Sequence, residues 1–432
     1  MAADHCRKMA LKLLYNRIVF WYQGILILLK RYAMKLINKE FTLLLSGQLV
    51  SQVGDKFHMI ALSFWVLQTT GSSAKMGLVL AASLVPSLVV GFFSGTFIDR
   101  HSRKTIIVGT DLLRGLVLFI FAVLFIAGKM DFYLILTLQV ILSVNAAFFD
   151  PAIPSIIPQI VDENQLARAN GLHQFVSGFS LVGGAMLGGI VVSGAGYVWV
   201  FFLNGLSFIV SALFESFIRI PPLPVEKKNS YAVDMKGGYR YLFDNQHLMV
   251  LLFMVMVIHL FVGSIEVFMP VIADRISEDG PRTLGFFQAA FGCGTLVMAI
   301  LLGMGRGVGN EKFALFASVF FIGAVFGASF FIQGSIPTMT GGFLFCLFFM
   351  GCALALAGVC FRTLLQRGMD NRFSGRIFAL AGSLGNASIP GAMIFYGLLL
   401  DRFDFHGLLL LTGLLLMLTS LVSFILYKEK RR

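Results

Sequence analysis

Asp55 stands near the middle of an apolar run, residues 41 to 68, and Gln48 and Gln52 precede it at helical spacing. The three make a polar stripe on one helix face. A carboxyl held there can take up a proton from one side of a bilayer and release it to the other, coupling proton flow to the movement of a second solute. Neighbouring Lys56 offers a plainer role, in which it neutralises Asp55 and the pair only orients the helix. Glu266 follows His259 by seven residues, hence on the same face, with the small Gly263 between them to leave room for a substrate or a crossing helix. Glu266 is therefore a second candidate for coupling or substrate contact, and His259 ranks behind it. Asp111 and Arg114, three residues apart, can neutralise each other or join a wider charge network. Asp150 precedes Pro151 and fits either that network or a cap on an interrupted helix.

One further cluster lies outside the apolar runs. The stretch "GTFIDRHSRK", residues 95 to 104, sets Asp99, Arg100, His101, Arg103 and Lys104 into ten positions of a chain that is 57% hydrophobic and 13% charged. Gly95 allows close helix approach, Asp99 can pair with a helix N-terminus or a cation, and Arg100, Arg103 and Lys104 can hold carboxylates or lipid headgroups. A charged gate that shuts one conformation and releases another is the expected role.

The elements that position these groups follow from hydropathy. A mean hydropathy of +0.85, with 45 Phe and 19 Met, excludes an ordinary soluble surface. Apolar runs of helix-spanning length recur along the chain, and alternating barrel strands do not. The expected fold is an all-α polytopic membrane protein with twelve transmembrane helices at about 41–68, 73–97, 105–127, 132–157, 170–194, 198–219, 247–273, 284–304, 313–333, 337–362, 377–400 and 407–427. A basic, amphipathic extension occupies 1–37, with Met34 an alternative start. One six-helix bundle spans 38–220, a polar cytosolic linker 221–246, and a second bundle with a basic tail 247–432. With the N-terminus inside, 27 Lys/Arg fall on the cytosolic side and 5 on the other. That bias predicts both termini in the cytosol.

Net charge of +12 is spread through short loops rather than gathered on one domain, which argues against nucleic acid. Cys293, Cys346, Cys352 and Cys360 lie in apolar runs without metal-ligand spacing; with Cys6 they are expected to be unpaired thiols. No H-E-x-x-H, G-x-S-x-G or phosphate-loop pattern occurs, so neither an enzyme nor a bound metal or other cofactor is expected. Sliding the chain by 208 residues lays 95–104 over 303–312, and by 207 lays Gln159, Glu163 and Asn164 over Gln366, Asp370 and Asn371, which points to two homologous halves.

The pattern G-x-x-x-D-R-x-x-R-K at 95–104 resembles the signature loop of the major facilitator superfamily, over about residues 34 to 430. Ser102 stands where that family usually has Gly. In the second half Gly307, Val308 and Glu311 replace Asp99, Arg100 and Arg103, so a gate built from them is asymmetric. The stretches at 148–172 and 52–66 resemble the branch of macrolide-efflux proteins and siderophore exporters. "GAMLGG" at 184–189 is similar to an antiporter-associated G-P-x-x-G-G pattern, but Ala185 replaces the proline and removes the kink it would impose. Gly184, Gly188 and Gly189 also fit a plain packing face. The resemblance implies two pseudo-symmetric six-helix bundles in the cytoplasmic membrane, acting as a monomer. It further implies proton-driven export of a hydrophobic or amphipathic small molecule (a drug, macrolide or siderophore) by alternating access. A lipid or lysolipid flippase and a non-transporting receptor or scaffold are the alternatives.

Overall fold

The computed structural model describes residues 38–220, 245–304, 308–368 and 374–427. The expected extension at 1–37, Cys6, most of the linker, Gly307, Asp370, Asn371 and the tail beyond 427 lie outside them, as do the surroundings of Gly95 and the side chains of Asp99 and Arg100.

Among the described residues the chain makes twelve helical crossings and no strand. α1 is Lys39–Thr70, and α2 has two pieces, Ser73–Ala82 and Val85–Arg100. α3 is Arg103–Ile126 and α4 is Phe132–Ile160. α5 runs from Leu166–Phe179 through a π-helical turn at Ser180–Gly184 into Ala185–Ala195, and α6 is Tyr197–Ser216. The second half contains α7 Gln246–Ile276, α8 Gly280–Met304, α9 Glu311–Ala328, α10 Ile336–Gly368, α11 Ser374–Leu400 and α12 Phe405–Leu426. Eleven crossings are long and apolar enough to span a membrane. α1 falls short because Gln48, Gln52, Asp55, Lys56 and His58 interrupt its apolar run.

Helix heads are set by local chemistry. Asn38, Ser72, Ser102, Asp131 and Asn310 each accept a backbone N–H in the first turn that follows, worth about 1 kcal/mol apiece. Asn38 also donates to the Ile160 carbonyl, tying the head of α1 to the tail of α4. Two expectations change here. α2 is broken at Ser83–Leu84, because Pro86 heads the second piece with no N–H to donate. α5 has no proline, yet its π turn at Ser180–Gly184 supplies the irregularity that Ala185 was expected to remove.

The two halves repeat closely. Five of the six helix pairs begin 207 or 208 residues apart, and only α4 and α10 differ, at 204. Lipid offers helices no hydrophobic reason to associate, so packing falls to small residues where backbones meet. A Cβ on Gly115 of α3 would stand 3.1 Å from the Gly205 carbonyl oxygen of α6, and one on Gly323 of α9 would stand 2.7 Å from the Gly413 carbonyl oxygen of α12. These are equivalent positions, 208 residues apart.

The halves meet along two seams, α2 with α11 and α5 with α8, which the repeat exchanges. Gly77 lies against the Met393 carbonyl, and a Cβ on Gly397 would be 2.7 Å from the Ser73 carbonyl oxygen. In the other seam, Cβ atoms on Gly189 and Gly285 would come 2.5 Å and 2.6 Å from the carbonyl oxygens of Pro281 and Ala185. Both contacts lie toward the end away from residues 100–104. Toward the 100–104 end, α2 exposes Val89, Phe93 and Phe97 and α8 exposes Val297, Ile300 and Leu301.

Candidate functional site

α6 carries a buried polar stripe, Asn204, Ser207, Ser211 and Glu215, recurring every three or four residues. α1 comes close to it through small residues: a Cβ on Gly47 would lie 3.0 Å from the Ser211 hydroxyl, and one on Gly54 would collide with Asn204 and Ser207. α3 flanks the stripe with Asp111 and Arg114, both buried. Arg114 Nη1 is 4.0 Å from Asp111 Oδ1 and its Nη2 is 3.8 Å from Asp150 Oδ1, while the guanidinium lies over Phe149 at 4.4 Å and Phe208 at 5.4 Å. One cation is thus shared between a carboxylate with no exposed surface and another that is 71% exposed.

Sequence reasoning had grouped Asp111, Arg114 and Asp150, and the structure brings them together and adds two more carboxyls. Glu215 is fully buried, neither of its oxygens has a hydrogen-bond partner among the described residues, and the charges that act on it are Asp111 and Arg114. Asp55, half-buried, feels Arg114, Lys56 and the Asn204 side chain. A single guanidinium therefore stands beside two carboxyls and within electrostatic reach of two more. Ionising all of them would leave surplus negative charge in an apolar bundle, which desolvation opposes. Such a cluster is suited to exchanging protons.

Lys56 lies in electrostatic reach of both halves. Its base packs on α5 at Gly184, where a Cβ would stand 3.0 Å from Lys56 Cβ, and its charge acts both on Asp55 and on Glu266 of α7. The two sequence candidates for coupling thus lie within electrostatic reach of the same cation, though among the described residues neither forms an ion pair with it. Gln48 is buried and Gln52 half-buried on the α1 stripe. His259 departs from expectation. Its Nδ1 is 2.7 Å from the Val255 carbonyl oxygen and its ring packs over Gly385 of α11; among the described residues no hydrogen bond or ion pair joins it to Glu266. Gly263 lies against the Ile389 carbonyl, so of the two occupants expected for the room it leaves, a crossing helix, α11, is the one found.

Gly188 faces α1, where a Cβ would come 2.9 Å from the Phe57 Cα, so Gly184 and Gly188 serve packing within the half while Gly189 serves the seam. His58 was not singled out from sequence; it is buried, pairs through Nε2 with Gln139 Oε1 of α4 at 2.8 Å, and sits edge-on to Phe121 and Phe201. The spacing of Asn204, Ser207, Ser211 and Glu215 was the available signal for the α6 stripe.

The signature loop is described only in part. His101 stacks on Phe97 with centroids 4.0 Å apart, Ser102 caps α3, and Arg103 Nη1 donates to the Ser155 carbonyl of α4 at 3.1 Å. Arg103 makes this bond within its own half, and Lys104 is half-buried beside it. Glu311, 208 residues on, pairs with Arg367 of α10 at 3.0 Å, so each half ties the head of its third helix to the last turns of its fourth, by a backbone carbonyl in one and an ion pair in the other. An apolar cavity of about 620 Å³ lies between α2, α3 and α4, bordered by Phe97, His101, Thr105, Gly109 and Phe148.

With twelve helical crossings among the described residues, eleven of them apolar enough to span a membrane, in two repeated halves and with ionisable groups between them, the class is that of a polytopic membrane transporter. The profile of the Major Facilitator Superfamily matches residues 44–393, and the chain belongs to that family. It is 25% identical over 393 residues to macrolide efflux protein A of Streptococcus pyogenes, covering 89% of this chain and 95% of that one. It is 27% identical over 406 residues to the MFS-type transporter YfiS of Bacillus subtilis strain 168, covering 91% and 95%. Among solved structures, a mutant of the nucleoside transporter NupG superposes with a TM-score of 0.73 at 13% identity, covering 90% of this chain and all of that one, a likeness of fold alone. The chain is a transporter with efflux-type relatives rather than an enzyme.

Proposed function

We propose that this chain exports a hydrophobic or amphipathic small molecule across the bacterial cytoplasmic membrane, as a monomer, by alternating access of its two bundles coupled to proton entry. In this reading the bundles are 38–220 and 247–432 and the 221–246 linker is cytosolic, and the 27 to 5 distribution of Lys/Arg supports a cytosolic location for both termini and the 95–104 loop. The halves touching at the far end then make an inward-facing state. The observation that carries the reading is that Asp55 and Glu266, on contacting helices of opposite halves, lie in electrostatic reach of the same Lys56, with Asp55 also in reach of Arg114. Rocking the halves would separate Lys56 from Glu266 and change which carboxyl holds a proton. The efflux relatives support the direction and the substrate class.

The test is proton movement in proteoliposomes holding the parent chain or Asp55→Asn, presented with lipophilic cations, macrolides and siderophores. Substrate-triggered proton flux in the parent and its loss in the variant is the expected result. Proton flux that survives Asp55→Asn removes Asp55 from the coupling path. Substrate movement with no proton flux favours a lipid or lysolipid flippase instead, for which the apolar cavity between α2, α3 and α4 would suit an acyl chain.

A further inference from the structure

Two hydrogen bonds close the same end of the two seams. In one, the Ser72 hydroxyl donates to Asp401 Oδ2 at 2.6 Å, and the same carboxylate accepts the backbone N–H groups of Ser73 and Ala74, the latter at 3.3 Å. In the other, the Ser193 hydroxyl donates to Asp279 Oδ2, while Asp279 Oδ1 accepts the Arg282 N–H at 3.3 Å. Each bond joins the two halves. Ser72 and Asp279 are 207 residues apart, and Ser193 and Asp401 are 208 apart, so the repeat maps one bond onto the other with serine and aspartate exchanged.

The surroundings match as well. One turn inward the backbones touch at Gly77 and Gly397 in the first seam and at Gly285 and Gly189 in the second, again 208 residues apart. In both seams the carboxylate meets an exposed helix N-terminus, α2 or α8, whose unpaired N–H groups favour an anion. Asp401 reaches α2 from across the seam; Asp279 caps its own α8 and takes the hydroxyl from across. The glycine contacts permit close approach in many registers, whereas a hydroxyl on a carboxylate fixes one. Being at the exposed rim, both bonds have water as a ready alternative partner, so they can break and reform without stranding a buried charge.

We propose that Ser72–Asp401 and Ser193–Asp279 are a matched pair of latches that hold the halves shut at this end, each contributing independently to the closed state. The proposal rests on the alternating-access reading. Each latch is expected to shift the closed-to-open ratio about fivefold, and removal of both about twenty-five-fold if they act separately.

The experiment is pulsed electron paramagnetic resonance in lipid nanodiscs, on a chain whose native cysteines are replaced by serine. Spin labels on Lys75→Cys with Arg402→Cys read one seam, and labels on Ala195→Cys with Glu278→Cys read the other. Asp401→Ala and Ser193→Ala should each raise the population at long distance, and the double variant should raise it by the product of the two. Exchanging the partners, Ser72→Asp with Asp401→Ser, should restore the short distance. If the double variant keeps the parent's distribution while an exported compound opens both seams, the latches are refuted and the export reading stands. If neither compound nor variant lengthens either distance, the proposal falls together with alternating access.

Discussion

Arg114 is the residue on which the most depends. Its guanidinium is divided between buried Asp111 and exposed Asp150, lies over two phenylalanine rings, and acts on Asp55 and Glu215. Removing one partner from a buried ionic group leaves uncompensated charge, so Arg114→Met should cost about 3–5 kcal/mol of stability, read as a fall in thermal unfolding temperature in detergent. Arg114→Lys should recover only part of it, because an ammonium lacks the planar fork that reaches two carboxylates while stacked on rings. Adding Glu215→Gln to Arg114→Met should restore some stability by removing one buried acid; no recovery would mean that Glu215 does not belong to the cluster. Asp111, Arg114 and Asp150 were legible in the sequence because charges are conspicuous in apolar runs. Glu215 was not, because it ends its helix, where a carboxylate reads as solvated until α1 and α3 cover it.

Among the elements, helix identity and approximate extent were legible, since spanning length and hydropathy fix both. The breaks were harder: Pro86 could be read as the interruption of α2, while the π turn in α5 has no local signature. The packing crossings were present as Gly77, Gly115, Gly189 and Gly205, each with a glycine 208 residues later, a stronger repeat signal than the loop matches. Helix ends at the far rim carry a pH prediction. Partial burial works against ionisation of Asp404, but the His406 backbone N–H at 2.9 Å, its imidazole at 3.1 Å and Arg275 at 3.7 Å outweigh it and hold the carboxyl below its ordinary value of 3.8. A lowered folded-state value means stability that is present above the unfolded value and lost as pH falls through the folded one. Unfolding temperature should therefore drop as pH falls below about 4, and Asp404→Asn should remove part of that drop.

At the scale of the whole molecule, an even number of crossings and the basic bias support the proposed topology, with both termini in the cytosol. Cysteines placed at Lys104 and Arg367 should react with membrane-impermeant thiol reagents only from the cytosolic side, and those at Lys75 and Arg402 only from the opposite side. Reversed labelling would overturn the assigned orientation and leave the fold untouched. Membrane class, helix count, two repeated halves and the presence of intramembrane charges follow from sequence alone, because each rests on local hydropathy, charge or periodicity. Tertiary structure alone decided which charges lie around Arg114, that Lys56 comes within electrostatic reach of Asp55 and of Glu266 in the opposite half, that α11 rather than Glu266 takes the His259 face, and that Ser72 finds Asp401. Those pairings join residues up to 329 positions apart, and a span's own sequence does not specify which neighbour its polar face will meet once lipid has removed the hydrophobic preference.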